Sequence, residues 1–549
     1  MENKRKRNSN SIKKFNNNHH FWITLTILSS IAVVIEYAET MLFPAIPDII
    51  NNFKINYDAS SWILSGYLIT AAVMAPIAGK LSDTYGKKKV LLIIMAIFIV
   101  SIAAAGFSIN ISFLIASRII QGIGLSMFII ALSILQSEVP KEKYALANGI
   151  LASLYFSGSS IGLILGGSIV HYFDWRITFF SLLPFLGILY FVIVKFLKVN
   201  EEEIKEEKLS TESKLESSTY NSNNDNKEDN KINIDKKINK NEGTKNLFSS
   251  PQKKDKIDIK GALALASTIT FFLFTLSYME IGEKDVSTFN SPVNISIFLF
   301  LLVISSISLI LFIIFEKKSS VPLIDLHLIT NKMIFSTVIT FMILGFTMFM
   351  IYQTIPVLVR APIPIGLGGN ALTSSIILLP FTIIFLILSP FVSKIITKLG
   401  NLKPFIIASI ITFLGFTGIY FFHANDFQIM ISLGIIAFGL ALINTIAMNI
   451  VLLLTPKQFG GIVIGIVQVF TFTGMAIGPV MSSLFLQSSQ INYCEQQQKC
   501  SLIPSSEAFN LIFRTAAMAS FVFVIIGLIL KKSIPANIAN PSYYASKSI

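Results

Sequence analysis

Fourteen apolar stretches, each long enough to cross a bilayer as a helix, constrain this chain more than any other feature. About 30 Å of hydrocarbon takes roughly 20 helical residues. Runs of that length, bounded by charge, proline, glycine or asparagine, lie at 21–47, 60–82, 90–108, 111–137, 142–171, 176–196, 261–281, 293–315, 333–359, 371–397, 404–422, 427–453, 460–487 and 508–530. With no water in the bilayer, every backbone amide must find its partner inside the chain, which a helix of this length achieves by itself. The expectation is an all-α polytopic membrane protein with 14 transmembrane helices. Composition agrees, because 14% of residues are charged, against about 25% in soluble domains. The basic start "MENKRKRNSNSIKK" leads into an apolar run too long for the core of a secretory signal, so the first span is expected to stay.

The net charge of +13 would suit a nucleic-acid partner if it formed one patch. Instead the cations sit in short connectors on alternate sides. The amino-terminal tail, the 2–3 turn (Lys87, Lys88, Lys89), the 4–5 turn (Lys141, Lys143), the 8–9 turn (Lys317, Lys318, Lys332), the 10–11 turn (Lys394, Lys398, Lys403) and the stretch after span 14 (Lys531, Lys532) are basic. The opposite connectors hold scattered charges such as Lys54, Arg176, Lys284, Arg360 and Lys499. By the positive-inside rule both termini are cytoplasmic, no nucleic acid is expected, and the partner is the lipid bilayer of the plasma membrane. Residues 198–258, rich in Lys, Glu, Asn and Ser, cannot bury enough apolar surface to order themselves and read as a disordered cytoplasmic linker. The only two cysteines, Cys494 and Cys500, share the 13–14 connector. The topology puts that connector in an oxidising exterior, where a disulfide is expected to clip a hairpin.

The chain also repeats itself. "GKLSDTYGKKK" (Gly79–Lys89) is echoed 314 residues later by "SKIITKLGNLK" (Ser393–Lys403), with Gly86 over Gly400. "GSSIG" (Gly158–Gly162) is echoed 316 residues later by "GMAIGP" (Gly474–Pro479). Spans 1–6 therefore resemble spans 9–14, with spans 7 and 8 inserted. The expected organisation is a basic tail (1–20), an amino-terminal six-helix half (21–197), the linker (198–258), two inserted helices (259–320), a carboxy-terminal six-helix half (321–532) and a cytoplasmic tail (533–549). Paired halves of this kind are a transporter architecture, with the site between halves that rock against each other.

Four motifs carry a resemblance to a known family. In "GKLSDTYGKKK", Gly79, Leu81, Asp83, Gly86 and Lys88 match the pattern G-x-L-x-D-R-x-G-R-K, with Thr84 in place of the first arginine and Lys87 in place of the second. "RIIQGIG" (Arg118–Gly124) is similar to a span-4 R-x-x-Q-G-x-G element. "GSSIGLILGG" (Gly158–Gly167) followed by Trp175–Arg176 resembles a span-5 antiporter element, with Leu163 where a proline is usual and Pro479 present in the repeat copy. "PLIDLHLITNK" (Pro322–Lys332) resembles the segment that precedes span 9 in fourteen-helix members. Together they resemble the major facilitator superfamily, specifically its fourteen-helix drug:proton antiporter branch, over essentially all spans outside the linker.

The polar residues inside the apolar runs are the candidates for chemistry. Glu36 and Glu39 lie three residues apart in span 1. They share a helix face where keeping both charged is costly, so one is expected to hold a proton. Such an acid, exposed to each side in turn, is what proton-coupled transport requires. The branch often carries an aspartate in this span, but Ala38 falls at that position and Glu39 follows it. Arg118 is the intramembrane cation expected beside these acids, and the resemblance implies a role in proton coupling; a purely structural brace is the alternative. Asp83 is expected to accept amides at a neighbouring helix start, forming with Gly79, Gly86, Lys87 and Lys88 a conformational latch whose partner the resemblance places near span 11. Gly158, Gly162, Gly166 and Gly167, with Gly474, Gly478 and Pro479 in the repeat, form small-residue faces for close helix contact. Tyr67, Gln121, Tyr352 and Gln353 are substrate-cavity candidates.

No G-x-x-x-x-G-K-[ST] loop serves an ATP-driven pump, and the five histidines are scattered. The chain is therefore expected to be no enzyme, and to use a proton gradient rather than a cofactor or metal. The leading expectation is a monomeric, proton-coupled exporter of amphipathic, cationic drugs or toxic small molecules. A carrier for a specific metabolite, such as an amino acid or organic anion, is the alternative within transport. A non-transporting sensor or scaffold is the alternative outside it.

Overall fold

The structure, a computed structural model, describes residues 2–139, 141–199, 258–281, 292–319, 330–455, 460–495 and 499–533. The readings made for most of the 198–258 linker, for Pro322–Leu326 and for the tail after residue 533 lie outside these residues. The helices of the first repeat are α1 (Glu2–Thr40), α2 (Ile46–Phe53), α3 (Tyr57–Tyr85), α4 (Lys87–Gly106), α5 (Ile111–Gln121), α6 (Met127–Glu138), α7 (Lys141–Tyr172) and α8 (Trp175–Phe196). The inserted pair is α9 (Ile259–Ile281) and α10 (Pro292–Lys318). The second repeat comprises α11 (Lys332–Arg360), α12 (Ala371–Leu399), α13 (Leu402–Phe421), α14 (Asp426–Leu454), α15 (Gly460–Ser488) and α16 (Ser506–Ser533). Among the described residues these supply 14 stretches long and apolar enough to cross a membrane.

Local chemistry sets many of the boundaries. Asn56, Asn110, Asn331, Asn370 and Asn425 each accept a hydrogen bond from a backbone amide of the helix they begin, as Asp174 does for α8. These caps satisfy amides that have no carbonyl partner in the first turn. Two spans expected to be continuous are broken. Span 1 stops at Thr40, passes through a 3-10 turn at Phe43–Ala45 and resumes as α2, because Pro44 and Pro47 have no amide to continue the ladder. Span 4 is interrupted by a 3-10 stretch at Gly122–Ser126. There a Cβ on Gly122 would strike the Tyr67 carbonyl, and one on Gly124 the Phe98 ring.

The repeat seen in the sequence is also a repeat of contacts. α1 packs along α7 as α11 packs along α15, and α4 packs on α8 as α13 packs on α16. The two seams between the repeats are related in the same way, α3 against α15 and α7 against α12. α9 lies over the first seam, touching both α3 and α15, with Trp62 and Phe274 in ring contact at 4.4 Å. α10 packs on α9, tied to it by Ser305 and Ser308 hydroxyls donating to the Thr268 and Ala264 carbonyls.

The connector between α15 and α16 corrects the all-helical expectation locally. It forms an antiparallel hairpin of β1 (Gln490–Glu495) and β2 (Lys499–Pro504), with Cys494 opposite Cys500 in register. Cys494 is disulfide-bonded, and Cys500 is the chain's only other cysteine.

Candidate functional site

The carboxylates of span 1 sit at the break in that span rather than in mid-helix. Glu36 and Glu39 occupy the last turn of α1, 7% and 2% exposed. A helix C-terminus disfavours anions, so this placement is not one that local stability explains. Thr40 holds the turn, its hydroxyl reaching the Glu36 carbonyl at 2.8 Å and the Ser159 carbonyl of α7 at 3.1 Å. Glu36 faces Glu39 and the Tyr155 hydroxyl. Tyr155 was not singled out in the sequence, where a tyrosine in an aromatic span gives no distinguishing signal.

Arg118 is fully buried beside them. Its Nε donates to the Ile63 carbonyl at 3.2 Å and its Nη1 to Gln121 Oε1 at 2.9 Å, with a longer contact to the Ala38 carbonyl at 3.5 Å. The guanidinium stands over the Tyr67 ring, 4.1 Å from its centroid. It thus braces α1, α3 and α5 through carbonyls and an amide. It acts on Glu39 across space rather than through a direct ion pair. Buried atoms without a hydrogen-bond partner gather here: Glu39 Oε2, Tyr67 Oη, Arg118 Nη2, Gln121 Nε2 and Gln353 Oε1. Orphaned polar atoms are costly in an apolar interior, so their gathering here sets this cluster apart as the candidate site.

Residues of the second repeat close over this cluster. Tyr352 stacks on Phe43 at 4.4 Å and faces Ser159, while Gln353 Nε2 reaches Ser60 Oγ at 3.4 Å. The structure thus brings Glu36, Glu39, Arg118, Tyr67 and Gln121 together and sets Tyr352 and Gln353 against them. All four cavity candidates are buried. Other bonds between the repeats are Ser65 Oγ to the Ala476 carbonyl at 2.7 Å and Ser160 Oγ to Thr382 Oγ1 at 2.8 Å. At the helix ends, Arg360 meets Asp48 in a two-pronged ion pair, with Nη2 to Oδ1 at 2.7 Å. These contacts run from the middle of the helices to the Arg360 face.

The glycine faces lie one per repeat. A Cβ at Gly158, Gly162 or Gly166 would strike the backbone or Thr40 hydroxyl of the first span; one at Gly474 or Gly478 would strike Met342 or Phe346 of α11. Gly167 faces Ser375 across the α7–α12 seam instead. Pro479 lies within α15.

The lysine turn is on the opposite face. Gly86 and its echo Gly400 both have positive φ, 100° and 75°, a conformation that only glycine adopts without strain. Gly79 has ordinary room, with Ile129 3.7 Å from a built Cβ. Lys87 Nζ binds the Ser133 carbonyl at 2.9 Å and Ser137 Oγ at 3.1 Å in α6, and Lys88 Nζ binds the Val194 and Leu197 carbonyls at the end of α8. Lys88 caps the C-terminus of α8 and Lys87 reaches the last turns of α6, both within their own repeat. Asp83 is exposed, with no hydrogen bond or ion pair among the described residues.

A fourteen-span helical bundle built of two repeats, with a polar cluster buried where the repeats meet, is the architecture of a membrane transporter. The chain belongs to the Major Facilitator Superfamily, whose sequence profile matches residues 28–479 and 337–544. It is 31% identical over 192 residues to the MFS-type transporter pydD of Acremonium sp, covering 35% of this chain and 33% of that protein. It is 25% identical over 329 residues to Multidrug resistance protein 3 of Bacillus subtilis, covering 60% of this chain and 52% of that protein. The matches thus span about a third and about half of these two relatives. The fold is similar to that of the xylose transporter XylE from E. coli in a partially occluded inward-open conformation, with a TM-score of 0.57 at 11% identity over 94% of this chain and 98% of that one.

Proposed function

We propose that this transporter is a proton-coupled antiporter that expels amphipathic cations by alternating access. The observation that carries the reading is the pair of buried carboxylates, Glu36 and Glu39, at the end of α1 beside a fully buried Arg118. Two acids against one guanidinium leave room for a proton or a cationic guest, and binding one displaces the other. Tyr67, Tyr352 and the rings of Phe43 and Phe381 supply the apolar and π surface that greasy cations favour. The multidrug-resistance name of the Bacillus relative agrees with this substrate class.

The lysine turns support a reading with cytoplasmic termini and the disulfide hairpin outside a plasma membrane. In that orientation the contacts between the halves 21–197 and 321–532 close the outer side, and an unbonded Asp83 suits a cytoplasmic latch in its released state. The protein works as a monomer, and the 198–258 linker joins the amino-terminal half to the inserted pair of helices without taking part in transport.

The second reading, a carrier for an organic anion, is favoured by one atom, the unpartnered Arg118 Nη2. The two carboxylates weigh against it. Purified protein in liposomes with an imposed pH gradient separates the readings. Lipophilic cations are expected to release proton flux from wild type, and Glu36→Gln or Glu39→Gln to lose it. Flux with organic anions and none with any cation would replace the first reading by the second.

A further inference from the structure

We infer that Asp48 and Arg360 are the outer lock of the transport cycle, a salt bridge that holds the two repeats together on the face opposite the lysine turn. The inference rests on the alternating-access reading above. Neither residue stands out in the sequence, where both are isolated charges in short connectors.

Three observations carry it. The two charges belong to different repeats, Asp48 to α2 and Arg360 to the last residue of α11, so that face cannot open while they stay paired. Each is also held where its own helix favours it. Asp48 lies in the first turn of α2 and Arg360 in the last turn of α11, the ends at which the helix dipole suits an anion and a cation respectively. The partners are therefore presented to each other before they meet. Finally, the contact is two-pronged, each guanidinium nitrogen on its own carboxylate oxygen, a geometry specific to arginine. The nearby carboxylate Asp174 is occupied by Arg176 at 3.4 Å, leaving Arg360 to Asp48.

The lock is continuous with the carboxylate cluster. Two turns below it along α11 Gln353 reaches Ser60, and Tyr352 stacks on Phe43 in the 3-10 turn that joins α1 to α2. Asp48 and Glu39 thus flank the same short break in the first span, and a displacement of α2 as Arg360 leaves acts directly on the turn that carries Glu39. On its other side Asp48 borders a cavity of about 360 Å³ shared with Asn51, Asn52, Asp174 and Trp175. When the bridge parts, Asp48 faces that cavity as an unpaired carboxylate.

The test is a distance measurement by double electron–electron resonance on the full chain in nanodiscs. Spin labels go on Asn51→Cys and Ile363→Cys, both exposed. Cys494 is disulfide-bonded and takes no label. Wild type is expected to show one dominant short distance. Asp48→Asn and Arg360→Gln should each raise the population of a longer distance roughly fivefold or more, and the exchanged pair Asp48→Arg with Arg360→Asp should restore the short one. Raising salt to about 1 M should move wild type toward the longer distance, because the pair is partly exposed and screened, and should leave Asp48→Asn unmoved; the wild-type response can be read even where a variant fails to fold. Unchanged distances in the single variants, no recovery in the exchanged pair, or no salt response in wild type would each overturn the lock. No substrate or proton gradient is needed, so a failed lock leaves the cation-export reading standing, and failed cation flux leaves the lock measurable.

Discussion

Arg118 shows how much a single buried charge can fix. Its donors tie Ile63, Ala38 and Gln121 into one knot, and its plane covers the Tyr67 ring. A lysine has neither the fork nor the flat face to do both. Arg118→Lys is therefore expected to insert and fold, yet to lose transport about tenfold or more, read as flux in liposomes. A variant with unchanged flux would reduce Arg118 to a replaceable brace. The residue types of this site are legible in the sequence because acids and arginines are rare in apolar runs. Their mutual arrangement is not, since Glu39 could have met Arg118 directly, whereas the guanidinium bonds to the Ile63 and Ala38 carbonyls and Gln121 and acts on Glu39 across space.

At the scale of the helix, the glycine faces make a sharper forecast. Gly158 on α7 and Gly474 on α15 each press against a backbone carbonyl of the partner helix, Val33 and Met342. Helices that touch at their backbones cannot accept a methyl group without moving apart. Gly158→Ala and Gly474→Ala are each expected to destabilise the protein by about 1–3 kcal/mol, seen as a lower melting temperature in detergent. Gly465→Ala on the same α15 meets nothing within 4 Å. It should be neutral or slightly stabilising, because alanine suits a helix interior better by up to about 1 kcal/mol. Equal losses at all three positions would mean that helix flexibility, not close contact, sets the glycines. The sequence showed the spacing but not that Gly167 turns to a different neighbour from Gly158, Gly162 and Gly166. That depends on where α12 lies.

On the scale of the whole molecule, the repeat supplies two seams and a device on each face. Lys87 binds Ser133, and 314 and 316 residues later Asn401 binds Asn449 at 2.8 Å, so the turn is anchored within each repeat by the same pair of positions. What the first copy adds is Asp83. If Asp83 is the proposed latch, Asp83→Asn is expected to cut transport about tenfold while leaving the melting temperature within a few degrees, because Asp83 makes no hydrogen bond or ion pair among the described residues; unchanged transport would remove the latch. Deleting residues 200–257 is expected to leave cation flux intact, whereas lost flux in a folded deletion would give the linker a transport role. The number of spans, the repeat and the residues that have no business in hydrocarbon can be read along the chain alone, because length, hydropathy and spacing are properties of the chain itself. That span 1 breaks beside its carboxylates, that the polar atoms of Arg118, Gln121, Tyr67 and Gln353 converge unsatisfied, and that Asp48 meets Arg360 emerge only from the packing of the fold. Those are facts about segments up to 312 positions apart, and which of many such pairs touch is set by how the two repeats pack rather than by either segment alone.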